Sequence, residues 1–328
     1  KVMLRAGVSS LGDSRIENIA RMRKAGINAP ITLIRSPMIS QVDRVVAAAD
    51  ISLNTELNVI RALSSAARKA HKQHGIILMV ELGDLREGIM PCDVGQTIQT
   101  LSTLPNIAFM GLGANLACRN GISPDTDNMG KLSALANCID GTLDATIHPM
   151  PIVSGGNSSN LDWVFSDCDI GRINNLRLGE AILLGREPLH GQPILGLHTD
   201  AICVIAEVIE SKVKPSKPWG TMAQTTFGSP LVTEDDGDIF QSILAIGQQD
   251  VDPSGLRPPQ GIKTLGASSD HLVLNTGNTK LRVGSEISFR PDYSALLRGM
   301  TSPYVDKAYI GEAQTTFTIQ QPAFAFAS

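Results

Sequence analysis

The feature that most limits the fold is an alternation. From residue 7 to about 190, a short apolar run, a polar turn and an amphipathic stretch follow one another repeatedly. Strands are expected at 8–12, 31–35, 50–54, 76–82, 107–112, 151–154 and 173–178, and helices at 16–25, 40–49, 55–71, 94–101, 129–138 and 161–165. Alternation of this kind builds a parallel sheet with right-handed crossovers. The opening stretch from Lys1 to Ala6 reads as the end of a helix, stopped by Gly7. Such a helix follows an earlier strand. Seven strands plus one give an α/β fold, a TIM-type (β/α)8 barrel whose first strand precedes residue 1. An open, doubly wound sheet is the alternative.

Beyond residue 195 the pattern changes. The stretches 200–213, 220–227, 239–247, 262–275 and 281–290 are β-rich and separated by Pro, Gly and Asp turns, with one helical piece near 293–298. The expected organisation is therefore a barrel domain over 1–195 and an all-β domain over 196–328. A chain of 328 residues is long enough for both. Its net charge of -4, without clustered Lys and Arg, offers nothing to nucleic acid or an anionic membrane surface. No apolar run approaches the roughly 20 residues of a membrane span. The five cysteines, Cys92, Cys118, Cys138, Cys168 and Cys203, form no CxxC and fit no metal spacing. They are expected to be reduced, buried thiols of a cytoplasmic protein.

In a barrel the chemistry sits at the C-terminal ends of the strands, with phosphate sites recurring after strands seven and eight. SGGNSS (154–159) follows the 151–154 strand. Its glycines let backbone approach an anion, and its hydroxyls and free N–H groups can hold a phosphate; an ordinary Gly/Ser turn is the other reading. Arg177 lies in the otherwise apolar run NNLRLGE, where an unpartnered guanidinium is costly, so it needs a carboxylate or a ligand. Gly179 would let the Glu180 N–H reach the same phosphate. DLRE (84–87) and DSRIE (13–17) both read as helix starts of the capping-box type, which leaves Arg15 and Arg86 unexplained. Asn115 either contacts a ring-shaped ligand or satisfies loop backbone. In the β domain, GASSDH (266–271) interrupts a strand. It is either a turn with local hydrogen bonds or a hydroxyl–carboxylate–imidazole group able to move protons.

Ten ordered blocks carry a resemblance across essentially the whole chain: DSRIEN (13–18), RSPM (35–38), DISLN (50–54), ELGDLREGI (81–89), GANLAC (113–118), SGGNSS (154–159), LRLGEAILLG (176–185), GQQDV (247–251), LGASSDHLVL (265–274) and MTSPYV (300–305). Together they resemble the ornithine racemase branch of the alanine racemase family, fold type III. The resemblance implies pyridoxal 5'-phosphate as cofactor, a free amino acid as small-molecule substrate, and a head-to-tail homodimer in which each active site borrows from the partner's β domain. It implies that Arg177 meets the pyridine nitrogen, and that Ser158, Gly179 and the Glu180 backbone form the phosphate cup with Asn157 beside them. Asn115 falls where the family has a ring-contacting histidine, and Arg86 where an arginine reaches the cofactor and the substrate carboxylate. Ser269 and Asp270 fall in the loop that meets the substrate carboxylate from the partner subunit. Thr301 lies near a phosphate-contacting tyrosine, and Tyr304 is a second candidate for that role.

Two departures from the family pattern accompany it. The Schiff-base lysine has no match in this sequence, since Lys1 falls in the following helix. Phe227 takes the place of the tyrosine that serves as opposite-face base, so the expected base is Ser269, Asp270 or His271. No metal ligands are expected. The implied activity is racemisation by two-base proton transfer at Cα, with ornithine the leading substrate and lysine or alanine the others. A lyase or dehydratase on the same fold, a non-catalytic pyridoxal-phosphate carrier and an unrelated phosphate-binding barrel enzyme are the alternatives.

Overall fold

Apolar runs in the first half become strands, and the amphipathic stretches between them become helices, in strict order. The computed structural model describes residues 1–142, 150–166, 168–224, 227 and 235–310. Two units cluster separately: Lys1–Ile182 with Arg186–Ile194, and Leu183–Gly185 with Leu195–Ser328. The first contains α1 (Val2–Arg5), β1 (Leu11–Asp13), α2 (Ile16–Lys24), β2 (Ile31–Leu33), α3 (Val42–Ala48), β3 (Ile51–Asn54), α4 (Leu57–Lys69), β4 (His74–Met79), α5 (Val94–Ser102), β5 (Ile107–Gly113), α6 (Thr126–Thr142), β6 (Ile152–Gly156), α7 (Leu161–Val164) and β7 (Asn175–Leu176), with the start of α8 (Glu180–Leu184).

The seven strands are parallel and ordered β1-β2-β3-β4-β5-β6-β7. A doubly wound sheet reverses its strand order at a switch point. This sheet has no reversal, so the open-sheet alternative falls and the barrel reading holds. Successive side chains of a strand point to opposite faces, and the two faces of β4 have different neighbours. Ile76 and Leu78 join the core shared with Ile60 and Leu63 of α4 and Ile98 of α5, whereas Ile77 and Met79 join Leu53, Ile34, Met110 and Ile152 on the inner face. A sheet with helices outside and its own apolar side chains inside is a barrel wall. Among the described residues no ladder joins β1 to β7.

A polar group is sealed within this wall. His74, Ser52 and Asn54 are each fully buried. His74 Nε2 lies 2.9 Å from Ser52 Oγ, and Asn54 Nδ2 donates to the same oxygen at 2.8 Å. Burial pulls the His74 pKa from 6.5 to about 4, against the Ala49 backbone and the Asp50 carboxylate, which raise it. Between those values the unfolded chain binds the proton and the folded chain does not. The stability this group confers is therefore complete above pH 6.5 and is lost as pH falls toward 4. The loss amounts to roughly 3 kcal/mol. Urea unfolding at pH 7 and pH 4.5 is expected to show that decline in the wild type and a flatter profile in His74→Gln.

The second unit contains β8 (Val204–Pro215), β9 (Asp238–Leu244), β10 (Leu256–Arg257), β11 (Lys263–Ala267), β12 (Leu272–Asn275), β13 (Glu286–Pro291) and α9 (Tyr293–Thr301). Its antiparallel sheet runs β10-β13-β8-β9-β12-β11 and encloses Val208, Leu244, Leu272, Leu274, Ile287, Phe289 and Ala295 of α9. The Asp292 carboxylate caps α9 by accepting from Ala295 N at 2.9 Å.

Several boundaries differ from expectation. The strand expected at 173–178 shrinks to Asn175–Leu176, because the Asn174 side chain takes ladder partners for itself, accepting from Val153 N and donating to Pro151 O. The run 262–275 is two strands, broken by the polar turn at 268–271. Residues 220–224 form no strand, and the rest of the expected 220–227 strand, apart from Phe227, lies outside the described residues. The thiols are free but not buried: Cys92, Cys118, Cys138 and Cys203 are exposed and Cys168 is half-buried. No described helix is long and apolar enough to cross a membrane.

Candidate active site

The C-terminal ends of β4, β5, β6 and β7 converge on one hollow. β6 ends in Gly156, whose φ of 149° and whose nearness to Asn160 (a Cβ would lie 2.1 Å from Oδ1) require glycine. Asn157 follows and closes a reciprocal cap with Asn160: its Oδ1 accepts from Ser159 N at 2.8 Å, and its N–H donates to Asn160 Oδ1 at 3.0 Å. That fixes the Asn157 amide, whose Nδ2 donates to Asn115 Oδ1 at 3.1 Å and Leu116 O at 2.9 Å. The turn Ser158–Asn160 then brings the Ser158 hydroxyl under the start of α8. There it accepts from Gly179 N at 3.4 Å and Ala181 N at 3.2 Å.

Arg177 follows β7 and crosses the hollow. Its Nη1 donates to Ser154 Oγ at 2.5 Å, and Nη2 to Ala114 O at 2.8 Å and Asn115 Oδ1 at 3.2 Å. The group is ringed by protein yet keeps accessible surface, as a side chain on the floor of a cleft does. Among the described residues it donates to no carboxylate. Burial pushes its pKa down to about 10; Glu87 raises it, Arg86 lowers it and Cys118 raises it, so those three groups lie close enough to act on its charge. Arg177 remains a cation at neutral pH.

Asp84 is fully buried. The expected helix at 84–87 is absent, and its residues serve another purpose. The carboxylate accepts from Cys118 N at 3.2 Å, Arg119 N at 2.9 Å, Asn120 N at 3.0 Å and Ile122 N at 3.5 Å. It staples the loop after β4 to the loop after β5. Burial works to raise its pKa, but the N–H groups of Asn120, Arg119, Ile122 and Cys118 outweigh that and lower it. Arg86 follows on the same loop, bonded through Nε and Nη2 to Glu87. Burial disfavours the Arg86 charge, yet the Glu87 hydrogen bonds and charge leave its pKa raised. The other expected capping box also dissolves: Asp13 Oδ1 accepts from Arg15 N at 2.7 Å, while Glu17 pairs with Arg44.

Arg86, Asn115, Asn157, Ser158, Arg177 and Gly179 thus meet in the first unit, with Glu180 opening α8 between Gly179 and Ala181. Sequence reasoning missed Ser154, Glu87, Cys118 and the Ala181 N–H. Ser154 was legible as a hydroxyl at a strand end; the others depend on loop shape.

In the second unit Ser268, Ser269, Asp270 and His271 form an exposed turn. Of the two readings, a turn with local hydrogen bonds describes the contacts. Ser268 Oγ lies 3.4 Å from His271 Nδ1, and Ser269 Oγ donates to Asp270 Oδ1. The turn is held against the GQQDV segment by Gln248 N to Ser268 O at 2.9 Å and Gln249 N to Ser269 O at 3.0 Å. The end of α9 reaches that segment too, through Arg298 Nη1 to Gln248 O and Ser302 Oγ to Asp250 Oδ1. Thr301 spends its hydroxyl on the carbonyls of Leu297 and Arg298, Tyr304 is exposed, and Phe227 is half exposed.

A family model described as "Alanine racemase, N-terminal domain" matches residues 1–187. The chain is 40% identical to an ornithine racemase from Acetoanaerobium sticklandii, covering 92% of this chain and 85% of that one. It is 36% identical to a lysine racemase from Thermotoga maritima, covering 94% and 86%. Among solved structures it is similar to an alanine racemase from Streptomyces lavendulae, with a TM-score of 0.64 at 15% identity over 88% of this chain and 75% of that one.

Proposed function

The chain belongs to the alanine racemase family, and from that premise we propose that it interconverts L- and D-ornithine at the hollow between Arg177 and Ser158. The family makes it a pyridoxal-phosphate-dependent amino-acid racemase; ornithine is our choice of substrate.

The residues present fit the cofactor on three counts. Arg177 is a cation in a cleft supplied with neutral acceptors only. The buried Ser159 Oγ and Asn115 Nδ2 have no hydrogen-bond partner. A Cβ on Gly179 would meet nothing within 4 Å, so there is room where a phosphate would lie. A buried polar atom without a partner is costly, and a bound ligand is one way to supply the partner.

When bound, pyridoxal phosphate acidifies the Cα–H of an attached amino acid by spreading the electron pair left behind over its ring. Ser158 and the backbone of Gly179 and Glu180 would hold the phosphate, with Asn157 beside them. Arg177, which has donors only, would bond the pyridine nitrogen and keep it unprotonated. Asn115 would border the ring, and Arg86 would grip the substrate's α-carboxylate. Racemisation needs proton transfer on both faces of Cα. Ser269, Asp270 or His271 of a second subunit would serve one face, the family's Schiff-base lysine, which has no match in this sequence, would serve the other, and Thr301 or Tyr304 would reach the phosphate. We accordingly propose a head-to-tail homodimer working in the cytoplasm.

The observation that carries the substrate choice is the 40% identity to an ornithine racemase over 92% of this chain. With the cofactor-loaded enzyme, L-ornithine is expected to lose its optical activity completely, without release of keto acid or ammonia, and faster than L-lysine at equal concentration. Accumulation of a keto acid, or a preference for lysine, would contradict the proposal.

A further inference from the structure

Arg86 and Glu87 are neighbours in sequence, yet their side chains meet. Successive residues of extended backbone point to opposite sides, so the meeting is a product of the loop. Val80 is bridged to Ile89, and the Glu81 carboxylate gathers the N–H groups of Gly83, Leu85 and Arg86. Leu85 is held in the left-handed region at φ 51°, and a Cβ on Gly88 would lie 2.3 Å from Glu81 N. The backbone closes on itself and turns both side chains the same way.

The two side chains are 40% and 27% exposed. An ion pair that open contributes little to stability. Its consequence lies elsewhere. A guanidinium carries five N–H donors in one plane. Glu87 takes the edge formed by Nε and Nη2. The remaining N–H of Nη2 and one of Nη1 form a second fork, free to bind another carboxylate. Among the described residues Glu87 is also the carboxylate whose charge acts on both Arg86 and Arg177.

We infer that Glu87 is a positioning residue: it clamps one edge of the Arg86 guanidinium, so that the other edge receives the amino acid's α-carboxylate in a single orientation, and its charge tempers that grip. The inference rests on the reading that Arg86 binds the substrate carboxylate. Held this way the substrate keeps Cα in register with its proton-transfer groups, and the product is released rather than trapped.

The test uses the holoenzyme, acetate as a carboxylate probe measured by calorimetry, and ornithine kinetics. Glu87→Gln removes both the charge and the two-point clamp. Glu87→Asp keeps the charge but is too short for the clamp. In the glutamine variant acetate is expected to bind about threefold more tightly, while kcat falls about tenfold and KM falls with it. In the aspartate variant kcat is expected to fall similarly, with acetate affinity near that of the wild type. Unchanged kcat in both variants, or weaker acetate binding in the glutamine variant, overturns the inference. Arg86→Gln tests the parent reading separately. If that variant binds acetate as the wild type does, Arg86 is not the carboxylate's cation, whatever the Glu87 variants show.

Discussion

Arg177→Met is expected to release the cofactor while leaving the fold standing. The substitution removes a charge-assisted hydrogen bond to the bound ring, an interaction worth about 1.5–3 kcal/mol, so cofactor affinity should fall roughly 10- to 100-fold. Racemisation should fall further, because an imperfectly seated ring misplaces Cα. Stability should respond differently. The guanidinium is desolvated, as its lowered pKa records; the Glu87 charge offsets this only in part, and no carboxylate bonds it among the described residues. Replacing a cation in that position by an apolar side chain of similar length removes the desolvation cost. Ser154 Oγ, Ala114 O and Asn115 Oδ1 lose a donor at the same time, which offsets that gain, so the cofactor-free variant is expected to unfold close to the denaturant concentration of the cofactor-free wild type. Arg177→Lys should not rescue cofactor binding, since an ammonium cannot span Ser154, Ala114 and a ring nitrogen as a planar fork does. Dialysis followed by visible absorbance measures the retention, and urea unfolding measures the fold.

Asp84→Ala is expected to produce the opposite pattern, a large loss of stability centred on two loops. Four backbone N–H groups, from Cys118, Arg119, Asn120 and Ile122, lose their acceptor together. Leaving even two of them unsatisfied costs about 2–6 kcal/mol at 1–3 each. The released segment follows Asn115 closely, and its Cys118 Sγ contacts Asn157 Nδ2, so activity should fall with it. Amide exchange at residues 118–122 should accelerate more than at the strands of the sheet, which distinguishes loss of the staple from general unfolding. The pKa of Asp84 is lowered in the folded chain, so the stability it supplies is present above its ordinary 3.8 and disappears as pH falls through the folded value. Asp84→Asn, which keeps one acceptor oxygen, should be intermediate.

Much of this molecule is legible in its residues, and the limits have physical causes. The barrel half could be read because parallel strands buried on both faces are continuous apolar runs, as in GIILM of β4. Arg177 declared itself as a charge in an apolar run, and SGGNSS as a loop able to approach an anion. Both lie in the hollow. Asp84 misled for a definite reason. An aspartate three residues before a glutamate has the same local signature whether it caps its own helix or a loop 34 residues away, and only tertiary structure separates the two. The Asn174 amide shortened β7 by the same kind of competition, a side chain taking hydrogen bonds that the sequence pattern assigns to backbone. The Arg86–Glu87 pair was hidden because it depends on one left-handed residue, Leu85, which has no sequence signal. In the β unit, the turn at 268–271 was found, but its hydrogen bonds are two pairs rather than a relay.

The most direct measurement is a crystal structure of the protein loaded with pyridoxal 5'-phosphate. The phosphate should lie against Ser158 Oγ and the backbone of Gly179 and Glu180, with the ring nitrogen turned toward the Arg177 guanidinium. A phosphate bound elsewhere, or a ring whose nitrogen faces away from Arg177, would contradict the assignment of this hollow as the cofactor site.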